Sequence, residues 1–165
     1  MRFKILFYIL CLILLFPKVI VSDEIIIDSS KVKVLEEGNI ISALDVKAKI
    51  PSKEIEVEGD KSIYDKKNSQ LTIIKNVKFF DKVKNVYIET KKAIYNQITD
   101  VVQTFGETYI KVENKYDVYS YDLFYDRKSQ KIYSNKETTI KDNKKNVFNL
   151  EDNFIFDLNK EIVST

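Results

Sequence analysis

The stretch Ile55-Glu56-Val57-Glu58-Gly59-Asp60-Lys61-Ser62-Ile63-Tyr64-Asp65 decides the fold. Its first half alternates apolar and charged residues with period two, the pattern of a strand that buries one face. Its second half changes parity: Ile55, Val57 and Gly59 share one face, whereas Ser62 and Tyr64 fall on the other. One extra residue in a strand, a β-bulge, bends the strand and returns the later apolar residues to the original side. Asp65 then opens a polar turn, Lys66-Lys67-Asn68-Ser69, and a new apolar strand follows at Leu71-Thr72-Ile73-Ile74.

The same reading recurs on both sides of this stretch. Val86-Tyr87-Ile88-Glu89, Tyr109-Ile110-Lys111-Val112 and Phe154-Ile155-Phe156-Asp157 alternate, and the β-forming residues Val, Ile, Tyr, Phe and Thr fill them. The parity switch separates Ile88 and Thr90 from Ala93 and Tyr95, and Val118 and Ser120 from Leu123 and Tyr125. An apolar residue followed by Asp or Asn recurs at Ile27-Asp28, Tyr64-Asp65, Tyr95-Asn96, Tyr125-Asp126 and Phe156-Asp157, at intervals of 37, 31, 30 and 31. A second break follows each of the first four pairs by about ten residues, at Gly38-Asn39, Lys75-Asn76, Gly106 and Asn135-Lys136. No window after residue 23 sustains the 3.6-residue period of a helix.

An all-β chain is therefore expected, built from repeats into a twisted, open roll of stacked antiparallel strands. Each unit buries its apolar face against its neighbours. The inward set is Ile55, Val57, Tyr64, Leu71, Ile73, Val86, Ile88, Ala93, Tyr95, Val118, Leu123, Tyr125, Ile132, Phe154 and Phe156, with Lys and Glu facing water between them. This pattern alone describes a filled core as well as an apolar groove.

Composition narrows the function. The 165 residues include no His, one Cys and three Gly. That removes His-based triads and metal sites, an intramolecular disulfide, and a glycine-rich phosphate cradle. No catalytic residue, metal or cofactor is assigned. Arg2 and Arg127 are the two arginines. Since Arg reads phosphates and base edges bidentately, a nucleic-acid role is disfavoured.

Residues 1–22 read as a secretory signal peptide: a basic start (Met1-Arg2-Phe3-Lys4), an uncharged run from Ile5 to Phe16, and a more polar end with cleavage expected after Ser22. An uncleaved anchor is the rival. Either reading places residues 23–165 outside the cytoplasm. Residues 1–22 carry three of the 27 basic residues and no acidic one, so the remainder holds 24 basic against 25 acidic residues, a charge of −1. The lone Cys11 also lies in the leading segment.

Three other groupings invite chemistry. The ladder Asp65, Asn96, Asp126 and Asp157 is read as turn-forming side chains bonded to their own backbone rather than as calcium ligands, because the turns are Lys-rich and almost Gly-free. Glu56 and Glu58 sit on a solvated face among Lys residues and are not read as a glycosidase pair. Tyr119, Tyr121 and Tyr125 share a parity, which suits cross-strand packing as well as sugar stacking.

The repeated order of small residue, spacer, Tyr, Asp, polar turn, apolar strand and Gly-Asn-hydrophobic resembles the OstA-like repeat of bacterial lipopolysaccharide transport and assembly proteins. Ser62-Ile63-Tyr64-Asp65, Ala93-Ile94-Tyr95-Asn96, Leu123-Phe124-Tyr125-Asp126 and Glu37-Gly38-Asn39-Ile40 carry it, and it spans about residues 24 to 165. The resemblance implies a V-shaped periplasmic β-jellyroll associated with the outer membrane. Its inward set would hold the acyl chains of lipid A, and its ends would pair edge to edge with homologous jellyroll domains and outer-membrane assembly partners. Lys75-Asn76 and Asn135-Lys136 depart from the family's glycine-rich second break. The fifth unit stops before its own second break, so the chain is expected to be the N-terminal part of a longer assembly protein. The alternative is an exported structural β-solenoid or adhesin-like protein with a filled core and no lipid.

Overall fold

The structure, a computed structural model, describes residues 24–165. The segment expected as a signal peptide lies outside the described residues. Fourteen strands form one antiparallel sheet, with no α-helix among the described residues. In chain order they are β1 (Ile26–Asp28), β2 (Lys31–Leu35), β3 (Ile40–Ile50), β4 (Ile55–Asp65), β5 (Gln70–Asp81), β6 (Val86–Asn96), β7 (Val101–Val112), β8 (Tyr116–Tyr121), β9 (Phe124–Asp126), β10 (Lys131–Ser134), β11 (Thr138–Asp142), β12 (Val147–Leu150), β13 (Phe154–Asp157) and β14 (Ile162–Ser164).

The five long strands β3 to β7 pair in sequence order, and each is bent near its middle. The register shifts between Glu58 and Lys61, between Ile74 and Val77, and between Thr90 and Lys92. The first and last of these are the parity switches expected from the sequence. Left-handed backbone marks the same line at Asp45, Lys75, Asn76, Gly106 and Asp122. Asn tolerates such angles, so Lys75-Asn76 turns the chain there without a glycine. These bends align into a crease that divides the sheet into two arms, one ending at the β4–β5 and β6–β7 turns and the other at the β3–β4 and β5–β6 turns.

Beyond the central strands the arms separate. β7 pairs with β9 through Val101–Gln103 and with β8 through Glu107–Val112. At the fork the Gly106 amide donates to Asp122 Oδ1 at 2.8 Å, and the Asp122 amide donates back to the Gly106 carbonyl at 3.2 Å. The first arm continues through β10, β13 and β14, and the second through β11 and β12. At the other end β2 and β1 pair with the two halves of β3.

The Asp/Asn ladder ends four strands on one rung of the first arm: Asp65, Asn96, Asp126 and Asp157 close β4, β6, β9 and β13. Each carboxyl or carboxamide oxygen accepts backbone amides two or three residues on, at 2.9–3.2 Å. This is the turn-forming role read from the sequence. Asp28 is not part of the ladder, because β1 lies on the second arm, which explains its irregular spacing.

Small hydroxyl residues line the inside of the crease, where freed backbone groups need partners. Thr104 Oγ1 donates to the Leu123 carbonyl at 3.2 Å and accepts its amide at 3.0 Å, and Thr108 Oγ1 donates to Thr104 and Thr90. Ser62 Oγ differs: it is fully buried with no partner. A buried unsatisfied hydroxyl costs free energy, so Ser62→Ala is expected to raise stability by about 1 kcal/mol in urea unfolding. A loss of that size instead would show that the hydroxyl is bonded.

Candidate functional site

The two arms face each other across one apolar interior. In the first arm Tyr64, Leu71, Tyr95, Tyr125, Ile132 and Phe156 share the rung nearest the strand tips. Ile73, Ala93, Leu123 and Phe154 lie nearer the crease. In the second arm Ile55 and Val86 stand at the tips, and Val57, Ile88 and Val118 form the middle rung. All fifteen face inward; fourteen are buried and Tyr64 is half-buried. Phe79, Ile110, Val102 and Ile140 complete the walls.

The interior is filled by its own side chains. Leu71, Ile88, Ile110, Leu123 and Ile132 are fully buried. The arms interlock through aromatic rings: Phe79 meets Tyr95 with centroids 6.0 Å apart, and Tyr116 meets Phe156 edge to face at 5.1 Å.

The apolar column reaches solvent at both ends. Val32 and Val34 of β2 pair with Ala43 and Ile41, so they face inward, yet they are 52% and 59% exposed. At the opposite end Phe148 of β12 pairs with buried Ile140 and is 51% exposed. Both ends also carry strands with one edge unpaired among the described residues, β1 and β2 against β12 and β14. An unpaired edge beside exposed apolar side chains is a template for another strand.

A cluster of charges closes the tips. Asp81 ends β5 on the parity of Val77 and Phe79 and faces inward, fully buried. From the opposite arm, Arg127 Nε donates to Asp81 Oδ2 at 2.6 Å and the Tyr125 hydroxyl donates to it at 2.9 Å. Arg127 Nη1 donates to both Asp100 oxygens at 3.0 and 2.9 Å, and Nη2 to the Lys53 carbonyl at 3.2 Å. Lys53 Nζ, from the turn joining β3 to β4, reaches the Tyr95 hydroxyl, the Gln97 carbonyl and Asp100 Oδ1 at 3.1, 3.2 and 3.3 Å. Arg127 is 7% exposed and Asp100 8%. These residues stand outside the inward set read from the sequence. Period two extended from Phe79 would have placed Asp81 inside, and the single Arg of residues 23–165 is the side chain best suited to two buried carboxylates.

Charge within the cluster is held in place. Burial pushes the Asp100 carboxyl up, but hydrogen bonds from Tyr95 and Arg127 and the charges of Arg127 and Lys53 outweigh it and hold the group below the usual Asp range. Burial opposes the Arg127 charge, yet its bonds to Asp81 and Asp100 raise its affinity for the proton. Burial, then the charge of Asp81, keeps the Tyr125 phenol protonated. Because the folded Asp100 value lies below the unfolded one, its contribution is complete at neutral pH. It fades as pH falls through the ordinary Asp value of about 4 and below. Wild-type stability is therefore expected to fall more between pH 6 and pH 3 than that of Asp100→Asn, measured by urea unfolding at each pH. Equal losses would contradict this role.

The outer faces are polar by comparison. Glu56 binds Lys82 at 2.8 Å and Lys49 at 3.6 Å, and Glu58 binds Lys47 at 3.3 Å, so both carboxylates are engaged in ion pairs on the outer face. Tyr109 and Tyr119 are cross-strand partners with centroids 5.1 Å apart. Tyr125 faces the interior and is not part of that outer cluster.

No family model matches the chain, and no curated protein matches it. Among solved structures, it is similar to LptH from Pseudomonas aeruginosa, described as the LptA-homologous periplasmic component of the conserved lipopolysaccharide transport device. The TM-score is 0.60 at 13% identity, over 67% of this chain and 80% of that one. At that identity the likeness speaks for the fold: the chain shares with LptH a twisted, open antiparallel β-jellyroll.

Proposed function

We propose that the protein is an exported, non-enzymatic module of lipopolysaccharide transport, working in the periplasm in association with the outer membrane. Its interior would receive the acyl chains of lipid A, and its two ends would dock edge to edge with homologous jellyrolls and outer-membrane assembly partners. One observation carries the reading: among the described residues a single apolar column runs between two arms and emerges at both ends beside unpaired strand edges. Ten methylenes leaving water would gain about 8 kcal/mol. Since the interior is filled, an incoming chain must part the arms or displace their side chains, and that gain is what offsets the displacement.

The test is binding of purified protein to intact lipopolysaccharide and to the same molecule stripped of its acyl chains. Binding to the intact form alone is the expected result. Equal binding of both forms would move recognition to sugars and phosphates on the outside. The filled interior also favours a second reading, a structural β-roll with no lipid ligand, and failure to bind either form would support it.

A further inference from the structure

We propose that Lys53, Asp81, Asp100 and Arg127 form a latch, whose release parts the strand tips while the crease stays folded. The cluster joins the arms at their free margins: Asp81 and Lys53 belong to the second arm, Asp100 and Arg127 to the first. A weaker clasp lies further along the same seam, where Glu161 accepts from Lys115 Nζ at 2.8 Å and from the Tyr116 hydroxyl at 3.1 Å.

The placement of charge here is poor design for stability alone. Asp81 occupies an inward rung whose neighbours on β4 and β6 are Ile55 and Val86. Apolar residues filling the same space would hold the tips as well or better, because buried ions sacrifice hydration. What charges provide is a margin that can open. When the tips part, carboxylates, guanidinium and ammonium return to water and recover their solvation, whereas an apolar margin would have to expose its surface. The opposite margin is built to stay shut. There β3 to β7 run continuously through the crease, and left-handed residues such as Asp45, Lys75 and Gly106 already set the bend. The two margins thus behave as clasp and hinge. Under the reading proposed above, on which this last step rests, the opened seam gives an acyl chain sideways access to the interior.

Opening from the tips makes a directional claim that needs no lipid to test. With Cys11 replaced by Ser, single cysteines at Val102 (tip rung) and Ser62 (crease rung) report access to a thiol reagent. The readout is the ratio of their labelling rates, tip over crease. Global unfolding raises both rates together and drives the ratio to a fixed value.

Arg127→Gln is expected to raise the ratio about tenfold, since it removes charge-assisted bonds that hold the tips. The paired change Asp81→Leu with Arg127→Met fills the seam with apolar side chains and leaves Asp100 with Lys53 and Tyr95. It is expected to fold and to lower the ratio below that of the wild type. If Arg127→Gln does not fold, the paired change decides. A ratio unmoved by the paired change, or raised by it, would overturn the latch. Failure of lipopolysaccharide binding, with these ratios as expected, would instead overturn the lipid reading alone.

Discussion

Truncating Phe79 to alanine is expected to cost about 3–5 kcal/mol of unfolding free energy, the range for a large buried aromatic. Phe79 stands on the middle rung of the second arm, fully buried, and its ring reaches across the interior to Tyr95. The loss would open a cavity between the two faces, because Phe79 is the side chain that meets Tyr95 across the interior. One residue along, Phe80 points outward, packs on Tyr87 with centroids 4.8 Å apart and is substantially exposed. Phe80→Ala is expected to cost less than about 1 kcal/mol. Urea unfolding of the two variants side by side checks the register of β5, and equal losses would show it to be wrong.

Gly59→Ala is the second large effect. A methyl group at Gly59 would lie 2.4 Å from Ile73 Cγ2 and 3.1 Å from the Lys75 carbonyl oxygen. The glycine sits at the crease, within the register shift between Glu58 and Lys61. Neither the bulge nor the buried Ile73 can yield without disturbing the bend. A cost of about 1–3 kcal/mol is expected, as for other overpacked cores. The clash predicts coupling: in the double variant with Ile73→Ala, the combined loss should fall short of the sum by about 1 kcal/mol or more. Strict additivity in urea unfolding would place the cost elsewhere.

Much of the architecture was legible because strands write their two faces directly into the sequence. The parity switches at Gly59 to Ser62 and at Thr90 to Ala93 appear as bulges, and the Asp65, Asn96 and Asp126 positions as turn caps. The switch between Ser120 and Leu123 was also visible. Its form was not: there the strand breaks into β8 and β9, because Asp122 leaves the ladder to meet Gly106. Pairing partners carry no periodic signal, so forking of the sheet beyond β7 could not be read either.

The burial of Asp81 is illegible in the sequence for a different reason. A charged residue at the end of an alternating run reads as the start of a turn. Its burial becomes intelligible only when Arg127, 46 residues away, is placed beside it. Nor does the alternation of Val57, Ile73 and Ile88 distinguish a groove from a filled interior, since both bury the same face. That distinction depends on how closely the two arms approach. The Phe79–Tyr95 contact and the charged tips set that distance.

The central claim is that lipid occupies the space between the arms. A photo-reactive residue placed at Ile88 or Leu123, inside, and at Tyr87 or Tyr119, outside, tests it in cells that make lipopolysaccharide. Capture of lipopolysaccharide is expected from the two inner positions and not from the two outer ones. Capture from neither inner position, or equal capture from both faces, would contradict it.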